Sequence, residues 1–139
     1  MHTAFTSENP LKHCPIEVTL QYIGKKWSVQ LVRDMMLGKR RFRDFLQANP
    51  RLSTKVLSER LKELEVNGIL EKRFDDSDHG QAEYVLTNKG DALGRILREL
   101  ALFSIRFHPD QVLGHASQRE AEAYIESVLG CPPKAHVKS

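Results

Sequence analysis

Between Lys39 and Thr87 a basic segment, a short helix with a polar outer face and a pair of β-like runs follow one another directly. The segment reads K-R-R-F-R (Lys39 to Arg43) and the helix L-S-T-K-V-L-S-E-R-L-K-E-L (Leu52 to Leu64). The two runs, G-I-L-E-K-R-F and A-E-Y-V-L-T, flank a charged loop. From Lys39 to Lys62 there are eight bases against two acids, a net +6 in a chain whose total is +3. The remainder is therefore acidic on balance. Charge concentrated on one element points at a polyanion, and a helix followed by a hairpin is one way to grip duplex DNA.

The length of 139 residues suits one domain with a real core. A pI near 9.0 favours an anionic partner. No apolar run approaches the roughly 20 residues of a membrane span, and the start M-H-T-A-F-T-S-E-N-P lacks the basic and apolar regions of a signal peptide. These features point to the cytoplasm. Two cysteines, Cys14 and Cys131, are too few for a disulfide scaffold and are expected to be reduced at rest.

Hydrophobic spacing predicts the order of elements. Residues 1–13 are polar and turn-rich, a flexible arm. Pro15 suits the first turn of a helix carrying Ile16, Leu20 and Ile23, and Gly24 interrupts it. A second helix follows, with Trp27, Leu31 and Met35 in register, and stops at Gly38. Phe42, Phe45 and Leu46 mark a third that ends before Asn49-Pro50. Ser53 caps the fourth, whose Leu57, Leu61 and Leu64 face inward while Lys55, Ser58, Glu59 and Lys62 face outward. Asn67-Gly68 ends it. Residues 69–74 and 82–87 alternate as paired strands. One long helix is expected from Asn88 to about Phe107, with Leu93, Ile96, Leu97, Leu100, Phe103 and Phe107 as a stripe. Leu102 and Ile105 fall on its other faces, so its second half is apolar nearly all round, as in a helix shared between its own core and a second subunit. A last helix is expected over about Ser117 to Leu129, then a frayed tail. The fold class is mainly α with a small β-hairpin.

With these elements placed, the chain resembles the HxlR-type winged helix-turn-helix regulators of bacteria and archaea. The resemblance rests on C-P-I (Cys14 to Ile16), I-G-K-K-W (Ile23 to Trp27), R-F-R-D-F (Arg41 to Phe45), L-S-T-K-V-L-S-E-R-L-K-E-L-E-V-N-G-I-L (Leu52 to Leu70) and E-Y-x-L-T-x-x-G (Glu83 to Gly90). It implies a DNA-binding domain over residues 14–107, followed by a C-terminal helix and tail over 108–139. It also implies a homodimer on a pseudo-palindromic operator, joined through the N-terminal and C-terminal helices. Ile16, Leu20, Leu102, Phe103 and Ile105 are the expected dimer residues. The wing departs from the family. Its loop reads D-D-S-D-H-G-Q, whose three aspartates repel phosphates, leaving Lys72, Arg73, His79 and Gln81 as wing contacts.

In the DNA-binding reading, Ser53, Thr54, Lys55 and Ser58 lie nearest the base edges, because recognition helices enter the major groove N-terminus first. Lys55 reaches guanine O6/N7, Lys62 extends the same outer face, and Arg40, Arg41 and Arg43 bind the backbone. The alternative is a solvated charged face; the helix-hairpin context favours DNA. Glu59 is expected to pair with Lys55 or Lys62 along the helix. Trp27, Phe42 and Phe45 fall on apolar stripes as core residues rather than stacking platforms.

Cys14 stands just before Pro15 at a helix start, where the terminal partial charge and nearby Lys12 and His13 favour the thiolate. One branch of the resembled family senses electrophiles or oxidants with a cysteine in this C-P-I position. A buried inert thiol is the plainer alternative. Cys131 is a candidate resolving thiol. The six histidines show no metal-ligand spacing, so no metal and no cofactor are expected. Two other function classes remain open. One is a winged-helix protein-interaction module without sequence-specific DNA binding; the other is a thiol enzyme, for which no base beyond His13 presents itself.

Overall fold

The inward leucines of the fourth helix organise everything around them. In the computed structural model, which describes residues 10–74 and 80–130, helix α4 (Thr54–Val66) buries Leu57, Leu61 and Leu64 completely or nearly so. They meet Leu31 and Val32 of α2 (Ser28–Met36), Phe45 of α3 (Phe42–Ala48), and Ile69 and Leu70 in one continuous core. Helix α1 (Pro15–Ile23) adds Ile23 to it, with Tyr22 packed against its margin. The fourth helix starts where its sequence says it should: the Ser53 Oγ accepts the Val56 N–H at 3.1 Å, satisfying an otherwise orphaned donor.

Strands β1 (Leu70–Phe74) and β2 (Ala82–Leu86) pair antiparallel, with Leu70 opposite Leu86 and Phe74 opposite Ala82. The base of this hairpin is locked. The Thr87 hydroxyl donates to the carbonyls of Gly68 and Ile69 and accepts the Gly90 N–H at 3.1 Å. Tyr84, buried on β2, meets Phe45 edge-on with centroids 6.1 Å apart, tying the wing to α3. Burial pushes its hydroxyl pKa up, and nearby Glu65 adds to the rise.

Three expectations change. Trp27 stands before α2, not in it: its φ of 81° is left-handed, and its carbonyl begins the helix by accepting the Leu31 N–H at 3.0 Å. A tryptophan rarely adopts that backbone; here its side chain packs on the core beneath the Lys26 ammonium.

The long C-terminal helix is two helices, α5 (Asn88–Asp91) and α6 (Gly94–Phe107). At the join the Leu93 N–H bonds back three residues to Gly90 rather than four, the tighter pattern that breaks an α-helical run.

The faces of α6 are also redistributed. A short α7 (Pro109–Val112) and α8 (Gln118–Leu129) return the chain alongside α6. Ile105 is buried at 5% exposure and Leu102 is half-buried, so Ile105 is not available to a second subunit as expected. Ile96, Leu100, Phe103 and Phe107 are the exposed ones, at 37–62%. Helix α8 is held by a Ser117–Glu120 capping box, by the Gln118 amide donating to the Ile105 carbonyl at 2.9 Å, and by Arg98 gripping Glu126. The Arg98 hydrogen bond lowers the Glu126 pKa and raises that of Arg98. Most of the predicted arm, the tip of the wing and the tail carrying Cys131 lie outside the described residues. No helix among the described residues is long and apolar enough to cross a membrane.

Candidate nucleic-acid interface

Burial of one side of α4 leaves the opposite side as a surface of donors. Ser53, Thr54, Lys55, Ser58 and Lys62 are all exposed, and Ser53 to Ser58 cluster at the helix start, where backbone N–H groups also point outward. Glu59 is not bound by Lys55 or Lys62. Its neighbour Arg60 lies 3.9 Å away and also reaches Glu63 at 3.4 Å. Arg60 Nε donates to the Lys26 carbonyl at 2.9 Å, so this arginine clamps α4 to the loop before α2 and does not face outward with Lys55.

The three arginines before and within α3 have different environments. Arg43 is exposed. Arg40 is exposed with its guanidinium 3.5 Å from Glu83, while its carbonyl accepts the Tyr84 N–H at 2.8 Å along the edge of β2. Arg41 differs from its expected role as a backbone contact. Half-buried, it donates from Nη1 to the carbonyls of Gln81 and Ala82 at 3.2 and 3.3 Å, bracing the wing against α3. On the wing, Gln81 is exposed and Arg73 pairs with Glu71 at 3.1 Å, while Lys72 lies over the rings of Phe74 and Tyr84. His79 lies outside the described residues.

One cluster escaped the sequence reading. Asp34, 2% exposed, accepts the Arg33 Nε at 2.9 Å and the Asn49 Nδ2 at 2.7 Å. Asn49 Nδ2 also donates to the Phe45 carbonyl, and Arg33 Nη2 reaches Asn49 Oδ1 at 3.0 Å. Asn49 ends α3, and its own carbonyl accepts the Leu52 N–H at 2.9 Å. The network therefore pins the turn that aims α4. A buried carboxylate persists only when paired and hydrogen-bonded. The signal was present: an aspartate inside the apolar run L-V-R-D-M-M of α2.

Cys14 is the N-cap residue of α1, half-buried and free, with its carbonyl accepting the Val18 N–H at 3.1 Å. Exposed Ile16 and Leu20 follow one turn apart. Among the described residues, no group of three or more His, Cys, Asp or Glu comes together as a metal site.

Three helices, a recognition-type helix with a free polar face and a two-stranded hairpin define a winged helix-turn-helix protein. The HxlR-like helix-turn-helix family model matches residues 22–111, and the chain belongs to that family. Two relatives come from Bacillus subtilis strain 168. The uncharacterised HTH-type transcriptional regulator YvaP is 38% identical over 94 residues, covering 67% of this chain and 87% of YvaP. The HTH-type transcriptional regulator YodB is 35% identical over 95 residues, covering 68% of this chain and 85% of YodB. Among solved structures, reduced YodB superposes with a TM-score of 0.62 at 34% identity, covering 69% of this chain and 95% of the YodB chain. The redox regulator HypR in its oxidised form also gives 0.62 at 34% identity, covering 66% and 94%. YodB has been solved quinone-bound as well. The chain's relatives are thus transcriptional regulators, some of them redox-responsive.

Proposed function

We propose that the protein is a homodimeric, sequence-specific DNA-binding transcriptional regulator of the cytoplasm, responsive to electrophiles through Cys14. The observation that carries the DNA part is the outer face of α4: Ser53, Thr54, Lys55, Ser58 and Lys62, all exposed at the start and along the open side of a helix whose other side is core. Lys55 reads a base edge in the major groove. Arg43 and Arg40 contact phosphates, and Arg41 contributes by holding the wing. Gln81 and the chain around Arg73 approach the neighbouring groove. The acidic loop keeps the wing tip off the backbone.

Selection of bound duplexes from a random pool identifies the operator, and competition titrations then test the face. Lys55→Ala is expected to cost about 1–3 kcal/mol on the cognate site and to relax specificity. Arg43→Ala is expected to weaken matched and scrambled duplexes alike and to flatten the salt slope by about one unit. Wild-type binding by both variants would mean that α4 does not meet DNA. Affinity for a macromolecular partner that ignores salt would favour the protein-interaction module instead.

The thiol part rests on Cys14 as N-cap of α1, beside Ile16 and Leu20, which belong to the proposed dimer surface. A quinone adding to its sulfur would place a bulky group against that surface and shift the spacing of the two recognition helices. A coupling of about 1–3 kcal/mol changes operator occupancy about 5–150-fold. Mass spectrometry after brief quinone treatment is expected to find Cys14 modified before Cys131, with operator affinity reduced in wild type and unchanged in Cys14→Ser. Equal loss in Cys14→Ser would move the sensing elsewhere; no loss in wild type would make Cys14 a packing residue.

A further inference from the structure

We infer that the groove between α2, α6 and α8 is an effector site for a small amphipathic acid, an apolar body bearing one carboxylate, and that Arg33 relays its occupancy to the recognition helix. The inference rests on the regulator reading for its consequence, but not for the binding itself. The groove, open to solvent along one side, offers about 620 Å³, the size of ordinary small-molecule sites. Val29 lines it from α2 and Leu37 from the cap just after α2, Leu97 from α6, and Ile125, Val128 and Leu129 from α8. Helix α8 lies beyond the residues matched by the family model, so this wall belongs to the chain's own C-terminal extension of that match.

Of the polar groups on the wall, Gln30, Ser104 and Tyr124 can donate or accept, and Arg33, which only donates, biases the space toward an anionic acceptor. No carboxylate lines the space. Arg33 is the one charged residue among the lining residues. Its Nε and Nη2 are taken by Asp34 and Asn49, whereas Nη1 makes no bond among the described residues and the side chain is 42% exposed. A guanidinium has five donors and can hold a carboxylate on each of two edges. The buried Asp34 takes the Nε–Nη2 edge and Asn49 the second Nη2 hydrogen, which leaves the two hydrogens of Nη1 for a ligand.

The same guanidinium explains how occupancy is felt. Arg33 Nη2 holds Asn49 Oδ1 at 3.0 Å, and Asn49 forms the turn between α3 and α4. A carboxylate on Nη1 draws the guanidinium toward the groove, lengthens the bond to Asn49 and loosens the turn that aims Lys55. The exposed stripe of Ile96, Phe103 and Phe107 is absent from the groove lining; only Leu100 is common to the two. A second copy seated on that stripe thus leaves most of the groove open.

Isothermal titration of the full chain without DNA, using 2-naphthoate and its uncharged analogue 2-naphthamide, tests the site. Naphthoate is expected to bind about tenfold more tightly than the amide. Arg33→Gln should erase that difference, and Val128→Trp, which fills the groove, should abolish both. Should Val128→Trp unfold early, Gln30→Trp fills the same space from α2. In spectra of the free protein the Asn49 side-chain amide should move with naphthoate in wild type but not in Arg33→Gln. Equal affinity for acid and amide, binding that survives groove filling, or no binding by naphthoate, decanoate and 3-phenylpropanoate alike would overturn the proposal. So would contacts, before any acid is added, between Val128 and residues 131–139 or a second copy, because the groove would then be occupied already. A protein that titrates naphthoate normally yet binds no duplex would contradict the regulator reading and leave the site standing.

Discussion

Gly90→Ala is expected to destabilise the protein by about 3 kcal/mol, lowering the thermal midpoint by about 10 °C. A Cβ at this position would lie 2.2 Å from the Ile69 carbonyl oxygen and 2.8 Å from Leu86 Cδ2. The leucine methyl can turn away; the backbone oxygen cannot. It already accepts the Thr87 N–H at 3.0 Å and lies 3.1 Å from the Thr87 hydroxyl, and those bonds join the end of α4 to the base of the wing. Making room means lifting α5 off the start of β1 and breaking that joint. This is why the run E-Y-V-L-T-N-K-G closes on glycine: the requirement is close approach, not an unusual backbone angle. Chemical denaturation at fixed protein concentration measures the effect, with Gly114→Ala as control, since nothing lies within 4 Å of a Cβ there. A loss below about 1 kcal/mol, in the range of ordinary surface changes, would mean that α5 does not approach β1 this closely.

The double variant Leu100→Glu, Phe103→Glu is expected to sediment as a monomer at micromolar concentration and to bind a palindromic operator about 100-fold more weakly than wild type. Ile96, Leu100, Phe103 and Phe107 recur at intervals of four, three and four residues, so they share one exposed face of α6. Ile16 and Leu20 offer a second such face on α1. Covering a large apolar side chain contributes about 1.5–3 kcal/mol, and a carboxylate there makes the same contact unfavourable. Two recognition helices joined by this contact would sit roughly 34 Å apart, one turn of DNA; a monomer retains only the affinity of one half-site. Binding to a single half-site should be unchanged, because neither residue belongs to the α4 face. A double variant that stays dimeric would move the subunit contact off α6. A stable wild-type monomer would remove both the dimer and the palindrome.

Much of the framework could be read along the chain because it depends on neighbours. Ser53 caps α4 and Gly38 follows α2 because capping is a matter of a few consecutive residues. Leu57, Leu61 and Leu64 turn inward together because a helix fixes their spacing. The strands pair in the anticipated stretches because both alternate and a turn lies between them. The family motifs gave the winged helix for another reason: they carry both halves of one knot, in which the Thr87 hydroxyl bonds the carbonyls of Gly68 and Ile69 across the hairpin and accepts the Gly90 N–H.

Tertiary structure decided what depended on distant partners. Arg40, Arg41 and Arg43 are alike as sequence, yet Arg41 turns to the carbonyls of Gln81 and Ala82, acceptors forty residues away that only the folded hairpin supplies. Asp34 is an oddity in an apolar run until Asn49 and Arg33 surround it. On α6, periodicity marks apolar residues on several faces but cannot choose which of them is covered. That choice belongs to the segment after α6: α7 and α8 return along the helix, and Ile105 ends buried while Phe103 and Phe107 stay exposed. A sequence fixes the order of apolar and polar groups around each helix, because that order follows from local geometry. Which apolar arc becomes core and which remains surface is set by where a remote segment packs, because burial is a property of the assembled chain.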